Sequence, residues 1–164
     1  DGFNGWETYE AVGGTAKITS LSSNGASAAE LTGAILHQSV AVDGGHSYRL
    51  ALQYYSTSQG GLLAGIEFYD QDGNSLLTKE ITAGANDYYE SLEIGLVAPD
   101  GASTAKVYFW SPVGSTANVD GFELREVDRL AKDPMATTSS TTPSHSGLSS
   151  NHSPSETSKA AVAP

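Results

Sequence analysis

Short runs of alternating apolar and polar residues, each closed by a cluster of Gly, Asp, Asn or Ser, fill the first 130 positions of the chain. A period of two puts successive side chains on opposite faces of a strand, and no stretch holds the 3.6-residue period of an amphipathic helix. The run HSYRLALQYYST places Tyr48, Leu50, Leu52 and Tyr54 on one face, with Arg49, Ala51, Gln53 and Tyr55 on the other. In LLAGIEFYD, Leu62, Ala64, Ile66 and Phe68 face together, against Leu63, Glu67 and Tyr69. YYESLEIGLVAP sets Leu92, Ile94 and Leu96 inward and Ser91, Glu93 and Val97 outward. GTAKITSLSS contributes Ala16 and Ile18 with Leu21 offset, AILHQSVAV contributes Ile35, Leu36, Val40 and Val42, and ANVDGFELREV offers Val119, Phe122 and Leu124 to a core. The segments DGG, DQDGNS and APDGAST mark turns, and Asp72-Gly73 is the strongest local hairpin signal.

Roughly eight short strands at this turn spacing predict an all-β domain. Alternation of one buried and one wet face belongs to antiparallel sheets. Two such sheets packed face to face give a β-sandwich, with a jelly roll as the expected arrangement.

One further run, AKVYFWSPVG, carries a question. Ala105, Val107 and Phe109 form an ordinary core face, but the opposite face holds Lys106, Tyr108 and Trp110. Two large aromatics beside a lysine on an outward face suit ligand contact, although outward aromatics also form cross-strand pairs or lie under loops.

Composition divides the 164-residue chain near residue 130. All fourteen Phe, Trp and Tyr residues precede that point, and four of the six prolines follow it. The segment 131–164 is rich in Ser, Thr and Pro, and Lys132 and Lys159 balance Asp133 and Glu156. It lacks apolar periodicity and reads as a linker or donor tail appended to a β-sandwich over 1–130. Asn151-His152-Ser153 matches the short N-glycosylation pattern. The formal net charge of −11 therefore sits on the sandwich and argues against nucleic acid or an anionic membrane as partner. No apolar run is long enough for a membrane span. There is no cysteine, so thiolate metal sites and disulfides are excluded. No signal peptide is recognised, and Asp1 reads as a processed or truncated start.

The order of the segments resembles a family. DGFNGWETYE resembles the opening of a jelly-roll carbohydrate-binding module, HSYRLALQYYST its central strand, and LVAPDGASTAKVYFWSPVGSTANVDGFEL its closing section. The match runs over about residues 1–127 and points to the modules appended to xylanases and glucanases. The resemblance implies a secreted or cell-surface protein with polysaccharide as partner. It implies that Trp6 is partly buried near the sandwich edge. It also implies a structural Ca²⁺ at the sandwich rim, with Asp120 as the matching aspartate and Asp1 and Glu30 as neighbours; calcium takes several hard oxygen ligands. One departure stands out: the family opens with an apolar strand that is absent here. Either the sequence is truncated, or a strand is donated from a neighbouring copy, as through KAAVAP.

Sugar rings present apolar C–H faces beside hydroxyls, so a glycan groove needs exposed aromatics interleaved with polar groups on a rigid sheet. The outward sets supply both. Arg49, Gln53, Tyr55, Glu67, Tyr69, Tyr108 and Trp110 are the candidate carbohydrate-binding residues, one surface if their strands share a sheet. Tyr88 and Tyr89 precede a strand, where one packs and the other lines a loop rim. DQDGNS has the look of a calcium loop but lacks the downstream glutamate, and a hairpin turn explains it. Seventeen of nineteen acids lie in the sandwich, so carboxylate pairs arise by chance and argue for no glycosidase. His37 and His46 stand beside no nucleophile motif, and no catalytic residue is assigned.

The expected function is a non-catalytic carbohydrate-binding module of a secreted multidomain protein. The alternative is a structural subunit of an extracellular filament, adhesin or surface layer that self-associates by strand donation.

Overall fold

The computed structural model describes residues 3–24, 27–57 and 61–128. The tail over 131–164, and with it the linker and donor-strand readings and Asn151, lies outside the described residues. Seven strands follow one another: β1 (Glu7–Thr19), β2 (Ala28–Ala41), β3 (Ser47–Ser56), β4 (Leu62–Tyr69), β5 (Ser75–Ala83), β6 (Glu90–Val97) and β7 (Thr104–Val127). Every pairing is antiparallel. No helix occurs among the described residues.

The last two runs of the sequence, expected as separate strands, join into the 24-residue β7. Its first half, 104–111, lies between β2 and β4, and β5 flanks β4. Its second half, 116–127, pairs along β3, with residues 116–119 also pairing with β2, and β6 flanks β3. Fully extended, the thirteen residue steps from Phe109 to Phe122 would span roughly 40 Å. Their ring centroids are 4.6 Å apart. The strand therefore folds over on itself, and its two halves belong to two facing layers of a β-sandwich. β1 and β2 turn the same corner beside it, where their registers shift between Glu10 and Thr15 and between Thr32 and Ala34.

Glycine makes this corner possible. Gly33 adopts φ +56, and a β carbon on Gly14 would lie 2.9 Å from the Gly33 carbonyl carbon. Only residues without a side chain let two backbones bend this close together.

Layer A thus runs β1-β2-β7-β4-β5, and layer B runs β1-β2-β7-β3-β6. The core between them holds the inward sets expected from alternation: Leu50, Leu52, Leu62, Ala64, Ile66, Phe68, Ile94, Phe109 and Val119 are all nearly or fully buried. Each large apolar side chain buried this way contributes about 1.5–3 kcal/mol. Tyr48 and Phe68 meet across the layers at 6.2 Å. Trp6 lies over Phe109 and Phe122, at 5.7 and 4.6 Å, and stays partly buried. The DQDGNS segment is the β4–β5 hairpin turn. Asp70 Oδ1 accepts the amides of Asp72 and Asn74, and Gly73 takes φ +82.

Candidate functional site

The outer face of layer A is built from transverse rows of cross-strand partners. One row runs Tyr9, Ile35, Trp110, Leu63 and Thr82 over β1, β2, β7, β4 and β5. The next runs Glu7, His37, Tyr108, Gly65 and Glu80. A third brings Ser39, Lys106, Glu67 and Thr78 together. A cleft of about 400 Å³ opens on this face, lined by Tyr9, Ile35, His37, Glu67, Lys106 and Tyr108.

The aromatics on this face are of two kinds. Tyr108 faces outward by parity but lies across β4. A β carbon on Gly65 would fall 2.7 Å from its Cε2, and its hydroxyl donates to Glu80. Burial, then the Glu80 hydrogen bond, raise its pKa. Its ring is the floor of the cleft. Tyr9 and Trp110 are free by comparison, 66% and 40% exposed. They stand in one row with Ile35 between them, two strand spacings apart, or about 10 Å.

The polar groups alternate with them. Tyr69 and Ser75 each donate to Glu67 at 2.6 Å. These hydrogen bonds, that from Ser75 first, hold the Glu67 carboxyl below its usual range, and the Glu67 bond pushes the Tyr69 phenol up to about 12. His37 keeps only 17% of its side chain exposed, with Nε2 3.8 Å from Glu7. Its Nδ1 is buried with no hydrogen-bond partner among the described residues. Burial first, then the charge of Lys106, lowers its pKa from 6.5, while Glu7 opposes them.

The seven expected binding residues do not form one surface. Glu67, Tyr69, Tyr108 and Trp110 share the outer face of layer A. Arg49, Gln53 and Tyr55 lie on the outer face of layer B, because β3 pairs with the second half of β7 and β4 with the first. There Arg49 is ion-paired to Glu93, and Gln53 donates to Ser91. Tyr55 stacks on Tyr89 at 5.8 Å, and the Tyr89 hydroxyl donates to the Leu21 carbonyl. Of the pair preceding β6, Tyr89 is thus the one engaged, and Tyr88 stays exposed.

Four cleft residues are not among the candidates: Tyr9, Ile35, His37 and Lys106. Tyr9 was accessible in principle, since Glu7 and Tyr9 alternate in ETYEAV. The glycine pair that follows cut the run short.

Of the expected calcium ligands, Asp1 lies outside the described residues. Glu30 is ion-paired to Lys17 at 2.8 Å. Asp120 is buried and accepts hydrogen bonds from the Ser23 amide, the Ser23 hydroxyl and the Gly121 amide. Donors pointing their hydrogens at a carboxylate satisfy it as an anion. This surrounding does not fit a cage of oxygens for a cation. Asp120 instead ties the segment around residue 23 to layer B.

No protein-family model and no curated protein sequence matches the chain. Solved structures match it in fold. The family 16 carbohydrate-binding module 2 is 16% identical with a TM-score of 0.57, covering 68% of this chain and 85% of that one. The CBM22-1 xylan-binding domain of Paenibacillus barcinonensis Xyn10C is 15% identical with a TM-score of 0.58, covering 77% and 88%. The enzymatically active domain of tailspike protein 4 from bacteriophage CBA120 is 16% identical with a TM-score of 0.60, covering 75% of this chain. The chain spans only 19% of that tailspike chain. Identities this low establish the fold: the chain has the jelly-roll sandwich of carbohydrate-binding modules.

Proposed function

We propose that the chain is a non-catalytic carbohydrate-binding module of a secreted or cell-surface multidomain protein. The outer face of layer A binds a polysaccharide. The observation that carries this reading is the cleft lined by Tyr9 and Ile35, whose cross-strand row continues to the exposed Trp110 on the same face. A glycan lying along that row crosses the strands and stacks alternate sugars on the two rings. His37, Lys106 and Glu67 then meet its hydroxyls. The role of the modules that share the fold supports the reading, including one described as xylan-binding.

The test is affinity electrophoresis of the full chain through gels containing xylan, β-glucan or mannan. Retardation by at least one is expected, and Tyr9→Ala with Trp110→Ala abolishes it. Retardation that survives both substitutions but is lost in Tyr55→Ala would move the site to layer B.

The alternative, a filament or surface-layer subunit, draws support from β1. Among the described residues this 13-residue strand pairs only with β2, and Val12 and Ile18 on it are exposed. An open edge is a template for another strand. Concentration-dependent oligomers in light scattering would favour it.

A further inference from the structure

A second cluster of chemistry lies away from the cleft, where the β2–β3 turn meets the end of β7. Asp43, His46 and Glu126 each bring a ligand atom there, all within 4.8 Å of one another. It is the only such group of three among the described residues. We propose that these residues form a binding site for a divalent transition-metal ion of the zinc type.

The three come from a scaffold that holds them in place. The turn Asp43-Gly44-Gly45-His46 is closed by the His46 amide donating to the Asp43 carbonyl. The Asp43 amide donates to the hydroxyl of buried Tyr48 at 2.8 Å. Gly45 and His46 are both bonded through the backbone to Ala98, at 2.9 and 2.8 Å. That contact locks the turn against a second turn, residues 99–102. The packing is tight: a β carbon on Gly44 would lie 2.8 Å from both Pro99 O and Gly101 N. From the second turn comes a third carboxylate. Asp100 Oδ1 would lie 3.3 Å from a β carbon on Gly45.

Glu126 is the unexpected member. It pairs across strands with Tyr48 and so takes the core parity of β7, continuing Phe122 and Leu124. It stands at the end of β7, where its half-exposed side chain reaches the imidazole of His46 on another turn.

The charge balance points to a cation. No Lys or Arg is ion-paired with Asp43, Asp100 or Glu126 among the described residues; the partner of Glu126 is His46 Nδ1 at 2.7 Å. An imidazole with carboxylates suits zinc-class ions, whereas calcium and magnesium prefer oxygen alone. Around a tetrahedral zinc, ligand atoms sit roughly 3.4 Å apart. His46 and Glu126 must therefore separate slightly, and the proton on Nδ1, where present, leaves as the metal enters. Both side chains are about half exposed and free to make that adjustment. The bound ion would fasten the β2–β3 turn to the C-terminal end of the sandwich.

The test is calorimetric titration of the full chain with ZnCl₂, together with its Tm. One Zn²⁺ per chain and a raised Tm are expected. His46→Gln and Glu126→Gln each weaken Kd by about tenfold or more. Their metal-free Tm stays at the wild-type value, because both side chains are on the surface. The proposal is overturned if Zn²⁺ does not bind. It is equally overturned if Zn²⁺ binds His46→Gln as tightly as wild type, the result expected if His37, His145 or His152 takes the ion.

Discussion

The ring of Tyr108 lies across Gly65 on the neighbouring strand, and its hydroxyl reaches Glu80 one strand further on. This relationship answers why a tyrosine and a tryptophan share the face beside Lys106. Tyr108 fills the gap left by a glycine and levels the floor of the cleft, while Trp110 stands free above it. Gly65→Ala should then displace the ring and cost about 1–3 kcal/mol, the usual range for overpacking. Chemical denaturation of the variant against wild type checks it. Unchanged stability would mean that the ring is not seated on residue 65.

His37 gives the sandwich a pH dependence with a definite sign. Its folded pKa lies below 6.5 because burial and Lys106 disfavour the imidazolium more than Glu7 favours it. The unfolded chain therefore binds more protons just below that value, and stability rises with pH through this window. The contribution is complete above the unfolded pKa and is lost as pH falls beneath it. His37→Gln should flatten the Tm against pH curve between about pH 5 and 7. A parallel curve for the variant would contradict this assignment.

Much of the fold was legible in the sequence, and the reason is parity. Leu62, Ala64, Ile66 and Phe68 are fully buried because a period of two leaves no other face for them. The same rule turned Tyr108 and Trp110 outward. Parity says which side of its own strand a residue takes; it does not say which layer the strand joins. That depends on the fold-over at Gly14, Gly33 and the middle of β7, a tertiary event with only a glycine as local trace. Arg49, Gln53 and Tyr55 were therefore grouped with Tyr108 although they lie on the other layer. The role of Asp120 was hidden for a related reason, since Ser23, its partner, is 97 residues away in sequence.

Asp120 is expected to act through hydrogen bonds. Asp120→Ala leaves the Ser23 and Gly121 donors without their acceptor and should cost about 1–3 kcal/mol. Adding calcium to chelator-treated wild type should leave Tm where it was, since the donors around Asp120 already satisfy it. A rise of several degrees with calcium would show that an ion competes successfully with Ser23.

The central claim is that a glycan lies on the outer face of layer A, and the chain carries a built-in reporter for it. It has only two tryptophans. Trp110 is on the cleft face, and Trp6 is packed against Phe109 and Phe122. The most direct measurement is a titration of the ¹⁵N-labelled chain with oligosaccharides of xylan, β-glucan and mannan, following the two indole N–H signals. The account predicts that at least one oligosaccharide moves the Trp110 signal and leaves that of Trp6 in place. Binding that shifts the amides of Arg49, Gln53 and Tyr55 while Trp110 stays still, or no shift with any glycan, would contradict it.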